Sequence, residues 1–194
     1  MMPVETTGGL AVAGHMRHRQ WRSGLFWAVL IATGLVFLAM QALTPDVSHG
    51  GRKLPIFDAR VCGYDLEAAR TYLNAISDTG KRTYLYSLQR LDLVFPLLLA
   101  VSIGWSILRL APKEWGRIRH VLPFAAVPAM LADYLENLAV AGILKSASAN
   151  LSPDLVRFAS AATQVKYVFL AAAFIVLAAL IAAAVRRRRR AGRS

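Results

Sequence analysis

Cysteine and histidine are scarce in this chain of 194 residues, and their scarcity excludes several classes of site. The single cysteine, Cys62, excludes an internal disulfide framework and any zinc site built on cysteines. The four histidines lie without metal-ligand spacing, at His15, His18, His49 and His120. The chain also lacks a P-loop, a dinucleotide-binding fingerprint and a nucleophile motif. We therefore expect no metal and no cofactor, and no catalytic residue is assigned.

Acidic residues are also few. The chain has 11 Asp and Glu against 23 Lys and Arg, which gives a formal net charge of +12. The densest basic segment is the arginine run 186–190, but no interleaved aromatic residues or folded domain surround it. We therefore expect this run to contact anionic lipid headgroups at a membrane surface, and we expect no nucleic-acid partner.

Hydrophobic residues, in contrast, make up 56% of the chain and lie in long blocks. A membrane-spanning helix needs about 20 mostly apolar residues, and such blocks are typical of a polytopic membrane protein. Four segments qualify, at about 25–43, 91–110, 121–144 and 162–185. The first has the basic lead of a signal peptide, but it is longer and ends in a poor cleavage site, so we interpret it as a span. The predicted fold class is an all-α, polytopic four-helix bundle.

The basic flanks predict the orientation of the four spans. Lys and Arg cluster before the first span, between the second and third, and after the fourth. Cytoplasmic loops are enriched in these residues, so we expect both termini to be cytoplasmic in a bacterial inner membrane. The predicted organisation is a cytoplasmic tail at 1–24, a membrane domain at 25–185 with an outer segment at 44–90, and a basic cytoplasmic tail at 186–194.

The outer segment contains a helical pattern, because Leu66, Ala69, Leu73 and Ile76 recur at helical spacing. Asp65 is the expected N-cap of this short interfacial helix and Gly80 its expected stop. Residues 81–90 are expected to continue directly into the second span. Before the fourth span, the Ser-Pro-Asp sequence at 152–154 predicts a helix start at Pro153.

Ionisable residues inside the predicted spans are the strongest functional signal. Asp133, Glu136 and Asn137 lie at i, i+3 and i+4, which places them on one helix face. Asp133 lies about 18 Å into the third span at 1.5 Å per residue, near the middle of the bilayer. Asp92 and Lys166 lie in the outer parts of their spans. Because charged groups are costly in a bilayer, each is a candidate site residue.

Two prolines in these helices are expected to leave backbone carbonyls without their helical hydrogen bonds. Pro96 cannot donate a hydrogen bond to the carbonyl of Asp92, so both the carbonyl and the carboxylate of Asp92 are expected to be available. Pro128 is likewise expected to free the carbonyl of Phe124, about one turn before Asp133. Freed carbonyls beside buried acids resemble the ion and substrate sites of transporters.

The polar residues allow two interpretations. In one, they form a ligand-binding pocket that consists of Asp92, Asp133, Glu136 and Asn137, with Lys166 and Arg90 as charge partners. In the other they only stabilise the bundle, Lys166 pairs with Glu136 or Asp92, and Arg90 reaches Asp92 or extends to the interface. Convergence of the acids on an open cavity would favour the first interpretation, whereas a tight pair of the acids with Lys166 would favour the second.

Four short segments of the chain resemble a family of small, uncharacterised four-span bacterial membrane proteins. The segments are GYD at 63–65, GKRTY at 80–84, LDLVFP at 91–96 and DYLEN at 133–137. The family pattern is G-R/K-x-x-Y, then D-x-x-F-P, then D-x-x-E-N. The resemblance implies the four-span fold and no particular activity.

The leading hypothesis is a non-catalytic inner-membrane protein that binds or passes a small lipidic or cationic ligand. One alternative is an intramembrane acid–base enzyme that acts on a lipid. Another is a structural subunit of a larger membrane complex, or a homo-oligomer that associates through the alanine-rich faces of its spans. The expected partners are therefore membrane lipids and a small ligand.

Overall fold

The computed structural model describes residues 7–47 and 54–192, with side chains from residue 23 onward. All regular structure in this part of the chain is helical. Three short 3-10 turns, at Phe57–Ala59, Lys113–Trp115 and Ser148–Asn150, lie between the main helices. The five main helices are α1 (Thr7–Val47), α2 (Leu66–Ala75), α3 (Asp78–Leu110), α4 (Ile118–Lys145) and α5 (Pro153–Ala191).

Four of these helices are long and apolar enough to span a membrane. They are the segment Ser23–Val47 of α1, and the whole of α3, α4 and α5. The prediction of an all-α, four-span helical bundle is confirmed. The helices extend past the predicted spans, since α1 already begins at Thr7 within the predicted tail and α5 includes the arginine run. Residues 1–6 of that tail lie outside the described residues.

Helix α3 is the centre of the bundle. It packs against α1 on one side and against α4 and α5 on the other, while α4 and α5 pack closely along their length. A side chain at Gly104 of α3 would lie 2.7 Å from the carbonyl oxygen of Pro123, so the absence of one permits this close approach to α4. Within the described residues, helix α1 packs along α3 and has no extensive contact with α4 or α5.

Two buried apolar clusters lie at opposite ends of the bundle. At the end covered by residues 54–77, here called the cap end, the cluster includes Tyr72, Tyr84, Leu88 and Ile143. At the other end, here called the arginine end because it carries residues 186–190, the cluster is formed by Ile103, Ile107, Ala126, Ala173 and Leu180. The two clusters do not join, so the middle of the bundle between them is less densely packed.

The helix starts follow the expected capping chemistry. The Asp65 carboxylate accepts a hydrogen bond of 2.8 Å from the backbone N–H of Ala68, as predicted. The Ser152 hydroxyl accepts one of 3.4 Å from the N–H of Leu155, with Pro153 as the first helical residue. Both N-terminal predictions are confirmed.

The predicted stop of α2 at Gly80 is wrong. The helix ends at Ala75, and Ser77 caps a new helix by accepting a hydrogen bond of 3.0 Å from the N–H of Gly80. Gly80 is instead buried inside α3, where a Cβ atom would lie 2.7 Å from the carbonyl oxygen of Asp46. The glycine therefore serves close packing on α1. From there residues 81–90 continue into the second span, as predicted, through a π-helical segment at Thr83–Leu88.

The third span is interrupted rather than uniform. A 3-10 segment at Leu122–Ala126 precedes the regular α-helix Val127–Lys145. Pro128 lies in the first two residues of that helix, where no helical N–H is required. The expectation that Pro128 frees the carbonyl of Phe124 is wrong, because that carbonyl accepts a hydrogen bond from the backbone N–H of Val127.

Helix α2 and residues 54–64 form a cap over the bundle. Helix α2 packs against α5, and its residues Ala69 and Tyr72 are buried. The Tyr72 hydroxyl donates a 2.7 Å hydrogen bond to the carbonyl of Val47, at the end of α1. The backbone N–H of Tyr64 donates to the Ser160 hydroxyl at 2.8 Å. These bonds hold the cap against α1 and α5.

The cap has its own aromatic core around one arginine. The Arg60 guanidinium lies 5.5 to 5.8 Å from the ring centroids of Phe57, Tyr64 and Tyr72. Burial lowers the pKa of Arg60 and raises the pKa of Tyr64 and of Tyr72. Because both tyrosines stay neutral, the rings surround the cation without adding charges of their own.

Candidate functional site

A cavity of about 530 Å³ lies between the two apolar clusters. Helices α1, α3, α4 and α5 and the segment 56–59 of the cap all contribute to its walls. Its charged lining residues lie toward the cap end, and its lining toward the arginine end is mostly apolar. The polar members are Thr33, Gln41, Thr44, Asp58, Asp92, Asp133, Lys166 and Tyr167, and the apolar members include Phe37, Leu99, Ile103, Met130, Leu170 and Phe174.

Lys166 is the only cation among the described residues of this lining, and it bridges two acids of α4. Its ammonium donates a hydrogen bond of 3.2 Å to the Asp133 carboxylate and forms an ion pair with Glu136. Glu136 is fully buried behind the cavity wall and also accepts a 2.5 Å hydrogen bond from the Thr163 hydroxyl. Thr163 and Lys166 are three residues apart on α5, so one face of α5 supplies both partners. The predicted pairing of Lys166 with Glu136 is present, and for Asp133 and Glu136 it favours the interpretation that these acids stabilise the bundle.

Asp92 stands apart from this network. Its side chain is buried, with 4% of the residue exposed, and it lies in the cavity wall. Within the described part of the chain its carboxylate forms no hydrogen bond and no ion pair, with Lys166 or with any other residue. A buried carboxylate without a partner is energetically unfavourable, so it marks a position where a ligand group would be stabilising.

The backbone carbonyl of Asp92, in contrast, is not free. The Asn137 side chain donates a hydrogen bond of 3.3 Å to it, in place of the N–H that Pro96 lacks. One residue further along α3, the carbonyl of Leu93 accepts from the Tyr134 hydroxyl at 3.0 Å. The expectation that both oxygens of this position are available is therefore wrong. Asn137 joins α3 to α4 and does not line the cavity.

Asp58 is an additional acid of the site, and sequence reasoning does not select it. It comes from the cap, and its carboxylate accepts a 2.5 Å hydrogen bond from the Tyr84 hydroxyl. Its backbone carbonyl accepts from Tyr167 at 2.8 Å. The second carboxylate oxygen of Asp58 is buried and has no hydrogen-bond partner among the described residues. In the sequence, Asp58 lies among basic residues of a long loop, and its spacing does not relate it to any helix.

The predicted site residues therefore separate into three groups. Asp92, Asp133 and Lys166 line the cavity, and Glu136 lies directly behind Lys166. Asn137 stabilises the contact of α3 with α4. Arg90 is exposed and forms no ion pair with Asp92 in the described part of the chain, so it is not brought into the site.

The described part of the site has more acidic side chains than basic ones and no arrangement suited to a metal ion. Asp58, Asp92, Asp133 and Glu136 face one cation, Lys166. Among the described residues, no three side chains of His, Cys, Asp or Glu lie close enough together to hold a metal ion. Asp58, Asp92 and Asp133 lie in the cap-end part of a cavity whose walls are otherwise largely apolar.

The fold and its four apolar helices define the chain as an integral membrane protein of the helical-bundle class. Comparison with protein-family models, with curated proteins and with solved structures finds no match to this chain. Its function is therefore argued from the cavity and its charges.

Proposed function

We propose that this protein binds a small lipidic or cationic ligand in the acidic cavity. The observation that carries the proposal is the buried carboxylate of Asp92, which has no partner among the described residues and lies in the wall of an otherwise largely apolar cavity. A positive group of a ligand would supply the missing partner, and the apolar walls would accept the remainder of the molecule.

The volume and composition of the cavity support this proposal. At about 530 Å³ it lies within the range of about 300 to 1,000 Å³ that is typical of small-molecule sites. A well-packed bundle would leave no such space, because protein interiors are packed as densely as organic crystals. The second buried acid of the cavity wall, Asp133, is paired with Lys166, whereas Asp92 has no partner among the described residues, so Asp92 is the position that favours a cation.

We also propose a bacterial inner-membrane location with both termini in the cytoplasm. The support is the distribution of basic residues, since the arginine end carries residues 186–190 together with the basic link between α3 and α4. In this orientation the cap lies outside the cytoplasm, and the acidic part of the cavity lies toward the outer leaflet.

Native mass spectrometry of the protein purified in mild detergent tests the ligand proposal. We expect the wild-type chain to carry a co-purifying small molecule or lipid, and Asp92→Asn to carry much less of it. The matched control is Asp65→Asn, which makes the same chemical change at an N-cap outside the cavity and leaves a good N-cap residue. Equal occupancy in wild type and Asp92→Asn, or none in either, would contradict the proposal.

A further inference from the structure

We infer that the ligand is a single-chain amphiphile with a positively charged head, which enters the cavity sideways from the bilayer. The inference rests on the proposed function and specifies the chemical class of the ligand and its route. It follows from three features of the cavity: its polarity gradient, its closed cap end and its unpacked side.

The polarity of the cavity changes along the bundle axis. Asp58, Asp92 and Lys166 lie toward the cap end, while Ile103 and Phe174 lie toward the arginine end. On α5 the apolar wall from Lys166 to Phe174 extends over about 12 Å at 1.5 Å per residue. An amphiphile bound with its charged head at Asp92 would place its chain along this wall, parallel to the helices. A compact cation would leave the apolar part of the cavity empty.

The cap closes the cavity at its polar end. The 3-10 turn Phe57–Ala59 lies across that end and is held there by the hydroxyls of Tyr84 and Tyr167, both bonded to Asp58. Tyr84 and Phe57, the latter within the cap itself, are both buried. Direct access from the aqueous side at this end would require these bonds to break.

Beside the cavity, helices α1 and α5 do not pack against each other along their described residues. Both helices line the cavity, yet their described residues have no extensive contact with each other. Phe37 of α1 and Phe174 of α5 line the cavity and are each 47% exposed. Residues on this surface of two spanning helices face lipid, so an amphiphile in the bilayer reaches the cavity between them without crossing water.

Gly34 offers a direct way to fill the apolar part of the cavity. It lies on α1 in the cavity wall, and a Cβ atom added there would meet no other atom within 4 Å. Gly34→Leu therefore places a side chain into the space for the alkyl chain without a backbone clash. Gly24→Leu is the matched control, because Gly24 lies on the same helix, also has open space around it and does not line the cavity.

The experiment measures thermal stabilisation of the detergent-solubilised protein by decylamine, by ethylamine and by decanol. A ligand that binds the folded state raises the melting temperature with increasing concentration. We expect decylamine to stabilise wild type and Gly24→Leu at far lower concentrations than ethylamine or decanol. We expect Gly34→Leu to weaken the effect of decylamine by about tenfold or more, because each buried methylene contributes to binding, and to leave the effect of ethylamine unchanged.

The outcomes separate this inference from the proposed function. If ethylamine is as effective as decylamine, or if Gly34→Leu leaves decylamine unaffected, the amphiphile inference is overturned while a small cation at Asp92 still stands. If decanol is as effective as decylamine, the inference that the ligand has a positively charged head is overturned. If Asp92→Asn responds to both amines as wild type does, the proposed site itself is overturned. No stabilisation of wild type by decylamine also overturns the inference, and the occupancy measured by mass spectrometry then decides the proposed function.

Discussion

At the scale of single residues, the ionisable groups in the spans are either paired, as Lys166 is with two acids, or unpaired, as Asp92 is among the described residues. Lys166 holds Asp133 and Glu136, two acids that would otherwise be buried without a counter-charge. Asp92 receives no such partner among the described residues, although it shares the cavity wall with Lys166. The two aspartates therefore respond differently to substitution.

Lys166→Met is expected to destabilise the protein by about 3–5 kcal/mol, because it leaves two buried carboxylates without a cation. Thermal or denaturant unfolding in detergent measures the change. The control is Arg157→Ala, which breaks an exposed ion pair with Asp154 and should cost less than about 1 kcal/mol. Combining Lys166→Met with Asp133→Asn and Glu136→Gln should recover most of the loss. A single variant as stable as wild type would show that Lys166 is not the counter-ion of these acids.

Asp92→Asn is expected to change the stability by less than about 1 kcal/mol, because the substitution keeps the shape and removes no ion pair. The same unfolding measurement compares it with Lys166→Met. A large loss of stability in Asp92→Asn that is recovered by adding Lys166→Met would mean that Asp92 is a structural counter-ion of Lys166. In that case the functional interpretation of Asp92 would be wrong.

At the scale of the helices, the contact between α3 and α4 depends on a proline in one and an amide in the other. Pro96 removes a hydrogen bond from the carbonyl of Asp92, and Asn137 restores one from the neighbouring helix. Gln89 adds a bond of 2.9 Å in the reverse direction, to the backbone carbonyl of Asn137. Asn137 of α4 thus replaces the hydrogen bond that the Asp92 carbonyl of α3 loses because of Pro96.

Asn137→Ala is expected to cost about 1–3 kcal/mol, since it leaves a carbonyl in the membrane without a donor. In a Pro96→Ala background the cost should be much smaller, because the substituted alanine provides the backbone N–H that Pro96 lacks. A double-mutant cycle of unfolding free energies measures this coupling. Additive effects of the two changes would show that Asn137 does not compensate for the proline.

The docking of the cap on α5 depends on the backbone conformation of Gly63. It adopts a φ of +81°, and a Cβ atom there would lie 2.1 Å from Nε2 of Gln164 on α5. Gly63→Ala should therefore destabilise the protein more than Gly116→Ala, whose φ of +54° is also positive but which has no atom within 4 Å. Unfolding of the two variants is the measurement. Equal losses would show that only backbone strain matters and that cap docking does not depend on Gly63.

At the scale of the whole molecule, the proposed orientation places the cap and its cysteine outside the cytoplasm. Cys62 is exposed and lies in the cap, so an impermeant maleimide applied to intact cells should label it. Cys62→Ser is the control for specificity. Labelling that appears only after lysis would reverse the proposed orientation, because burial does not shield this thiol.

The four spans and several helix starts can be predicted from the sequence. The four spans follow from apolar length, because lipid requires each backbone segment to satisfy its own hydrogen bonds. The starts at Asp65 and Pro153 follow from local capping chemistry. The early end of α2 does not follow, since the burial of Gly80 against Asp46 is a contact between helices that local patterns do not encode.

The amino-acid order alone identifies the polar residues that must lie inside the membrane, because Asp92, Asp133, Glu136 and Lys166 interrupt apolar runs. Their partners, in contrast, depend on the packing of the helices. That packing pairs Lys166 with the two acids of α4, uses Asn137 to bond a carbonyl and brings Asp58 from the cap. Spacing along one helix fixes which residues share a face, but the distance between faces depends on how separate helices pack. The unpartnered state of Asp92 among the described residues is therefore a property of the folded bundle alone.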